Sequence, residues 1–252
     1  ALVTFITAGD PDIEATVPAL HALVAGGADV IELGIPFSDP EAEGPAIQRS
    51  SERALANGVS LDVCLELVRR FREEDETTPL VLMGYLNSIL AMGERAFADA
   101  ASAAGVDGLI MVNLPPEEAG ELKQALTEQD MALIFLVAPT TTEARARSII
   151  EQASGFLYYV TLKGITGADH LDVVSVGERV DQLRGQAQVP VMVGFGIKDG
   201  ATAQALAGHA DGVVVGSALV NTMADVPEPV ARVERLTAQV SELRNAIDSS
   251  AC

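Results

Sequence analysis

Four acidic side chains lie close together in one short stretch of the sequence. Glu32 stands inside an apolar segment, residues 30–33, and the Pro- and Gly-rich segment that follows carries Asp39, Glu41 and Glu43. A carboxylate inside an apolar strand is costly unless something pairs with it. Neighbouring carboxylates in such a place push pKa values apart, which is what acid–base catalysis requires. The pattern leaves two interpretations open: a catalytic pair, or a structural carboxylate beside a solvated acidic loop.

Two glycine-containing segments nearer the C-terminus indicate a phosphate site. Residues 194–200 follow one apolar run, and residues 216–220 follow the next and open a short helix. Glycines let the backbone approach an anion closely, and N–H groups at a helix N-terminus point towards it. The Ser217 hydroxyl can donate to a phosphate oxygen. The alternative interpretation is that these residues are only turn glycines and a helix cap. We favour a phosphate site, because both loops carry the pattern in the order in which barrel proteins bind phosphate.

The segment at residues 161–170 is a candidate mobile lid, because it is long and contains two glycines. Gly167 can add a further N–H group to the phosphate. Lys163 raises a different possibility, a Schiff base with a carbonyl substrate. Nothing near it in the sequence lowers its pKa, so a solvated lysine is the interpretation that we favour.

Composition excludes several classes of protein. The chain has 252 residues, 48% of them hydrophobic, and a formal net charge of −20, which argues against nucleic acid and anionic membranes as partners. No apolar run approaches the ~20 residues of a membrane span. The only cysteines, Cys64 and Cys252, and the three scattered histidines suggest neither a disulfide framework nor a metal site. We therefore expect a protein of the reducing cytoplasm.

Short apolar runs alternate with amphipathic helical stretches along the whole chain. Most runs are continuous, as in strands buried on both faces of a parallel sheet. The runs are residues 2–7, 30–33, 80–83, 108–112, 132–137, 156–160, 189–193 and 212–215. The helical stretches are residues 15–24, the segment after an N-cap at Ser60, 96–104, the segment from 115, 143–153, 173–183, 201–207 and 230–247.

Eight such units predict a single (β/α)8 TIM barrel spanning residues 1–252. A doubly wound open sheet is the alternative, weakened because no Gly-x-Gly-x-x-Gly follows the first strand. The unit after the second strand is about twice as long as the others, and it holds the acidic loop. Active sites of such barrels lie at the C-terminal ends of the strands, so a functional loop is expected there.

Several motifs resemble the tryptophan synthase alpha subunit family over nearly the whole chain. The most specific is Glu-Leu-Gly-Ile-Pro-Phe-Ser-Asp-Pro at residues 32–40. Further matches in the same order are residues 5–11, 44–48, 164–167 and 194–197. The resemblance implies a (β/α)8 barrel and a lyase of tryptophan biosynthesis. Its reaction is the cleavage of indole-3-glycerol phosphate to indole and glyceraldehyde 3-phosphate, without cofactor or metal.

The resemblance also implies roles for individual residues. Glu32 matches the general acid–base that protonates the indole carbon bearing the side chain, and Glu43 matches the loop carboxylate that handles the indole N–H. The substrate-binding positions implied in this way are Phe5, Met83, Tyr85, Tyr158, Thr166 and Phe195. The implied phosphate-binding positions are Gly167, Gly196, Gly216 and Ser217. The implied partner is the tryptophan synthase beta subunit, in an alpha-beta-beta-alpha assembly.

The chain departs from the family pattern at a few positions. Glu43 stands where the family has Asp, Glu41 where an apolar residue is usual, and Asn113 where Asp is frequent. These departures leave open an alternative function, a weakly catalytic allosteric activator of the beta subunit. The family's N-terminal helix is absent from this numbering, and we expect that a short N-terminal piece is missing.

Overall fold

Eight parallel strands close into a barrel. A computed structural model describes residues 1–161, 173–194, 196–197 and 199–249, and in it each strand pairs with the next along the chain. The eighth strand pairs with the first, so the barrel prediction is confirmed and the open-sheet alternative is wrong. The strands are β1 (Leu2–Thr7), β2 (Val30–Gly34), β3 (Leu80–Gly84), β4 (Gly108–Met111), β5 (Ala132–Val137), β6 (Leu157–Val160), β7 (Val191–Gly194) and β8 (Gly212–Val215).

Helices lie around the outside of the barrel. They are α1 (Ile13–Gly26), α2 (Pro45–Ala56), α3 (Leu61–Arg72), α4 (Leu86–Met92), α5 (Glu94–Ala104), α6 (Gly120–Thr127), α7 (Glu143–Ile150), α8 (Val173–Arg184), α9 (Gly200–Ala207), α10 (Ser217–Asp225) and α11 (Pro229–Asp248). The predicted N-cap is confirmed, because the Ser60 side chain accepts the N–H of Val63. Within the described ranges, no helix is long and apolar enough to cross a membrane.

Two helices, α2 and α4, were not predicted from the sequence. The loop that carries Asp39, Glu41 and Glu43 ends at Gly44, and α2 begins at Pro45. The buried face of α2 consists of Ser50, Ser51 and Ala54, and these small side chains make no apolar stripe. The one local signal was the proline in the first helical turn, a position that proline favours.

Other differences concern the ends of elements. The helix expected from residue 115 begins as a 3-10 turn at Pro116–Glu118 and continues as α6 from Gly120. The seventh strand starts at Val191 rather than at residue 189, since the preceding Pro190 has no N–H to donate to a ladder. These shifts leave the order of elements unchanged.

Side chains alternate between two cores, one inside the barrel and one between strands and helices. Leu2 and Ile6 of β1 pack outward in the larger core, and Val3 of the same strand packs inward. The buried inner cluster contains Val3, Val81, Ile110, Ile134, Phe156, Tyr158, Met192 and Val214. This alternation fills the middle of the barrel with apolar side chains. At the C-terminal ends of the strands, the inward-facing side chains point into the open end of the barrel.

The first and last helices pack closely against each other beside β1. A Cβ atom added at Gly26 of α1 would lie 2.6 Å from Cβ of Val240 and 2.9 Å from the carbonyl oxygen of Thr237, both in α11. The Thr237 hydroxyl also donates to the carbonyl oxygen of Ala22 at 3.3 Å. The absence of a side chain at residue 26 therefore sets the distance between α1 and α11.

Replacing Gly26 should loosen this contact. We expect Gly26→Val to lower the free energy of unfolding by about 1–3 kcal/mol, because the new side chain overpacks against backbone and a buried valine. Gly120→Ala is a matched control, since a Cβ added there meets nothing within 4 Å. Urea unfolding of both variants measures the effect, and an unchanged midpoint for Gly26→Val would contradict the packing account.

Candidate active site

A cavity of about 560 Å³ opens at the C-terminal end of the barrel. It brings together eight of the residues that the sequence singled out: Glu32, Glu43, Phe5, Met83, Tyr158, Gly196, Gly216 and Ser217. These residues come from six strands or from the loops that follow them, and from the first residue of α10. Thr166, Gly167 and Phe195, and the alternative nucleophile Lys163, lie outside the described residues.

Glu32 lies deep in this cavity, on an inward-facing position of β2. Its backbone is paired in register with Phe5 of β1 and Val81 of β3. The side chain is 1% exposed, and neither carboxyl oxygen has a hydrogen-bond partner within the described residues. Burial, and then repulsion from Glu43, raise the pKa of Glu32 to about 8. Glu32 is therefore a protonated acid at neutral pH.

Glu43 faces Glu32 from the loop between β2 and α2. Burial raises the pKa of Glu43 to about 7, lower than that of Glu32. The carbonyl oxygen of Glu43 accepts a hydrogen bond from the Gln48 side-chain amide at 2.9 Å. The N–H of the preceding Ala42 donates to the Tyr85 hydroxyl at 3.1 Å. Gln48 and Tyr85 thus hold the backbone on both sides of the carboxylate.

Tyr85 has a different setting from the other predicted substrate-binding residues. It does not line the main cavity; its side chain is 4% exposed, and its ring stacks on Phe37 with centroids 5.0 Å apart. Glu43 contributes to raising the pKa of the Tyr85 hydroxyl after the effect of burial. Tyr85 is near the loop carboxylate, as expected, but it contacts the loop from behind.

Helix α2, which follows the loop, is anchored on the first strand. The Ser50 and Thr7 hydroxyls are 2.6 Å apart and buried. The Arg53 guanidinium binds the buried Asp10 carboxylate through two hydrogen bonds of 2.6 and 2.9 Å. Two contacts on successive turns fix the helix, and with it the end of the loop that carries the second carboxylate. Sequence reasoning missed this anchoring, because the partners are 43 residues apart.

Tyr158, on β6, lines the same cavity as the two carboxyl groups. A Cβ added at Gly194 of β7 would lie 2.6 Å from the Tyr158 hydroxyl oxygen, so the glycine provides the space for the phenol. Burial, and then the charges of Glu32 and Glu43, raise the pKa of the Tyr158 hydroxyl well above its ordinary value. The phenol therefore stays protonated and adds no third negative charge beside the two carboxyl groups.

The opposite side of the cavity has backbone suited to an anion. Gly216 directly precedes α10, whose first residue is Ser217, and both line the cavity. The first N–H groups of a helix have no partner within the helix and carry partial positive charge. Gly196 lines the same region with a φ of +80°, which a glycine adopts without strain. In the described part of the chain, no cluster of His, Cys, Asp and Glu could hold a metal ion.

The closed (β/α)8 barrel holds two buried carboxyl groups with raised pKa values in a cavity at its C-terminal end, the arrangement of a barrel enzyme. A sequence model of the tryptophan synthase alpha chain family matches residues 1–248, and the chain belongs to this family. Members of the family are lyases of tryptophan biosynthesis that cleave indole-3-glycerol phosphate, and this is the activity assigned to the chain. The activator alternative is not favoured.

Individual relatives agree with this assignment. The tryptophan synthase alpha chain of Xanthomonas axonopodis pv. citri (strain 306) is 58% identical over 249 residues, which cover 98% of this chain and 93% of the relative. The crystal structure of tryptophan synthase subunit alpha from Legionella pneumophila str. Paris superposes with a TM-score of 0.91 at 45% identity, covering 98% and 92% of the two chains. A chain of the tryptophan synthase complex from Pyrococcus furiosus has a TM-score of 0.87 at 37% identity, covering 97% and 98%.

The burial of Glu32 should make stability depend on pH. Its pKa rises from 4.5 to about 8 on folding, so the folded state keeps a proton that the unfolded state loses. Stability due to this group is therefore present below about pH 4.5 and is lost as pH rises towards 8, by up to about 1.4 kcal/mol per pH unit. Glu32→Gln removes this dependence. The difference in the free energy of unfolding between the variant and the parent protein should therefore shift in favour of the variant by a few kcal/mol as pH rises from 5 to 8.

Urea unfolding at both pH values measures this gain. Glu66→Gln, a change at an exposed glutamate of α3, is the control and should show the same difference from the parent at both values. If Glu32→Gln differs from the parent protein by a constant amount at pH 5 and pH 8, Glu32 is not buried as an acid.

Proposed function

We propose that Glu32 is the general acid–base and Glu43 the electrostatic partner in the cleavage of indole-3-glycerol phosphate. The observation that carries this proposal is the unequal burial of the two carboxyl groups: Glu32 is 1% exposed and has no hydrogen-bond partner among the described residues, whereas Glu43 lies on a less buried loop. Glu32, at about 8, holds a proton at neutral pH, whereas Glu43, at about 7, loses its own first. A proton donor facing a carboxylate is the state that this reaction needs.

The first step requires the proton of Glu32. Glu32 donates it to the indole carbon that bears the glycerol phosphate chain, and the ring becomes a cation with its charge centred on the N–H group. The Glu43 carboxylate accepts a hydrogen bond from that N–H and stabilises the positive charge. Such a charge-assisted interaction is strong in a cavity from which most water is excluded.

The second step returns the proton to Glu32. As a carboxylate, Glu32 removes the proton of the hydroxyl on the carbon attached to the ring. The carbon–carbon bond then breaks, its electron pair neutralises the ring cation, and indole and the aldehyde of glyceraldehyde 3-phosphate result. Glu32 is protonated again, so the two residues complete the cycle without a net change. Each proton transfer of this kind contributes about 10²–10⁴-fold to the rate.

The rest of the cavity supports the orientation that this chemistry requires. We assign the indole ring to the apolar surface of Phe5, Met83 and Tyr158, which adjoins both carboxyl groups. The phosphate is assigned to Gly196, Gly216 and Ser217 at the start of α10. Thr166, Gly167 and Phe195 remain proposed members of these two regions, outside the described residues. Tyr85 acts through the loop that carries Glu43.

A beta subunit is the proposed partner. Chains similar to this one occur in structures titled tryptophan synthase, including the complex from Pyrococcus furiosus. An alpha-beta-beta-alpha assembly, in which indole passes to the beta subunit, is implied by the family resemblance. We also propose that residues 1–252 form one barrel domain and that the protein works in the cytoplasm. The buried free thiol of Cys64, with a pKa raised by burial to about 12, is compatible with that compartment.

Removing either carboxyl group should change the reaction in a different way. We expect Glu32→Gln to fold and to lose at least about 10³-fold in kcat/KM, because no donor remains for the ring carbon. Glu43→Gln should lose about 10²–10³-fold, because the ring cation is no longer stabilised. Indole release from indole-3-glycerol phosphate measures both losses.

The pH profile separates the two roles. The parent protein should show a bell-shaped kcat/KM with limbs near pH 7 and 8, the pKa values of the two groups. Glu43→Gln should lack the acidic limb, and its basic limb should move to lower pH because the repulsion on Glu32 is gone. Glu66→Gln serves as the unaffected control. Full activity in Glu32→Gln, or an unchanged acidic limb in Glu43→Gln, would refute the assignment.

A further inference from the structure

One cationic side chain in the cavity has no role in the mechanism above. Arg49 lies on α2 and lines the cavity together with Ser217 and Asn221 of α10. Among the described residues that line the cavity, it is the only one with a positive charge. Any role for Arg49 there rests on the proposed function, since it concerns the phosphate end of the same site.

The charge of Arg49 is not used within the described structure. Its side chain is exposed and forms no ion pair or hydrogen bond with any described residue. Arg53, one turn further along α2, is by contrast bound by Asp10 through two hydrogen bonds. In a chain with 36 acidic and 16 basic residues, an arginine without an acidic partner is notable at the mouth of a functional cavity.

Arg49 does not serve the nearby catalytic carboxylate either. Burial raises the pKa of Glu43, and no positive charge among the described residues lowers it. An adjacent guanidinium would lower that pKa, since it would stabilise the carboxylate. The Arg49 side chain is exposed, and it remains available for a negative charge that enters the cavity.

The backbone under Arg49 is held in place while its side chain is free. The next residue, Ser50, is buried against Thr7 at 2.6 Å, and Arg53 is bound to Asp10. A ligand that contacts Arg49 therefore only needs to order one side chain and does not need to move a helix. Helix α10 packs against α2, and it lines the same cavity with Ser217 at its N-terminus and, one turn later, with Asn221.

We propose that Arg49 binds the phosphate group of the substrate from α2, opposite the N-terminus of α10, and selects phosphorylated over unphosphorylated indolylglycerol. A guanidinium presents donors in a planar fork that fits phosphate oxygens, and backbone N–H groups supply the other side. Arg49 also offsets the repulsion that a protein with a net charge of −20 exerts on an anionic substrate.

The contact connects binding to the catalytic loop. The helix that carries Arg49 begins two residues after Glu43, and its Gln48 side chain holds the Glu43 carbonyl oxygen. A phosphate bound by both α10 and Arg49 therefore connects α10 to α2, the helix that holds the end of the loop carrying Glu43. Arg49 contacts only the phosphate end of the substrate, so we expect its loss to act on binding and not on the chemical step.

The test compares Arg49→Gln with the parent protein. By calorimetry at low ionic strength, the Kd for glycerol 3-phosphate should rise about tenfold, the effect of one charge-assisted hydrogen bond. The KM for indole-3-glycerol phosphate should rise by a similar factor, with kcat changed less than about twofold. For indole-3-glycerol, the same substrate without phosphate, kcat/KM should not change. Arg49→Lys should recover part of the affinity.

Arg147→Gln is the matched control. It removes one positive charge from an exposed position of α7 that does not line the cavity. The Kd for glycerol 3-phosphate and the KM for indole-3-glycerol phosphate should both stay as in the parent protein. Equal Kd values for glycerol 3-phosphate in the parent and Arg49→Gln would overturn the proposal. Equal losses in Arg147→Gln, or a fall in kcat without a change in KM, would overturn it as well.

The outcome also separates this proposal from the proposed function. If the parent protein cleaves its substrate and binds glycerol 3-phosphate, but Arg49→Gln does both equally well, only the role of Arg49 is wrong. If the parent protein shows neither cleavage nor binding, the assignment of the phosphate region to the start of α10 is wrong, and the role of Arg49 with it.

Discussion

The site depends on one constraint, a carboxyl group buried in the barrel without a hydrogen-bond partner among the described residues. Glu32 is 1% exposed, and both of its oxygens are unpaired there. Ionising such a group costs several kcal/mol, so the fold keeps it neutral. A surface glutamate at neutral pH has no proton to give. In the proposed mechanism, burial therefore keeps on Glu32 at neutral pH the proton that is given to the ring, and the resulting carboxylate can accept a proton in the next step.

The second carboxyl group needs a different environment, and the structure supplies it through a loop. Glu43 comes from the chain between β2 and α2, and its backbone is held by Gln48 and, through Ala42, by Tyr85. Because Glu32 is the more deeply buried of the two, its pKa lies above that of Glu43. The difference in burial thus makes the two groups chemically unequal, although both residues are glutamates.

Much of the barrel could be predicted from the sequence, because few folds other than a parallel barrel accommodate eight continuous apolar runs separated by helical stretches. Glu32 was also predictable, since a single acid in an apolar strand demands an explanation. The helix α2 was not, because its buried face is made of Ser50, Ser51 and Ala54. The order of the two pKa values and the anchoring of Arg53 on Asp10 arise from tertiary contacts, which no local pattern records.

The protonation state of Glu32 can be measured directly. The carbonyl stretch of a protonated carboxyl group is visible in infrared difference spectra of the parent protein against Glu32→Gln. The account predicts that this band is present at pH 7 and disappears around the pKa of about 8. It also predicts that the band disappears at lower pH in a Glu43→Gln background, where the repulsion between the two groups is gone. A band that disappears near the ordinary glutamate pKa of 4.5 would contradict the account, since the fold would then not hold the proton.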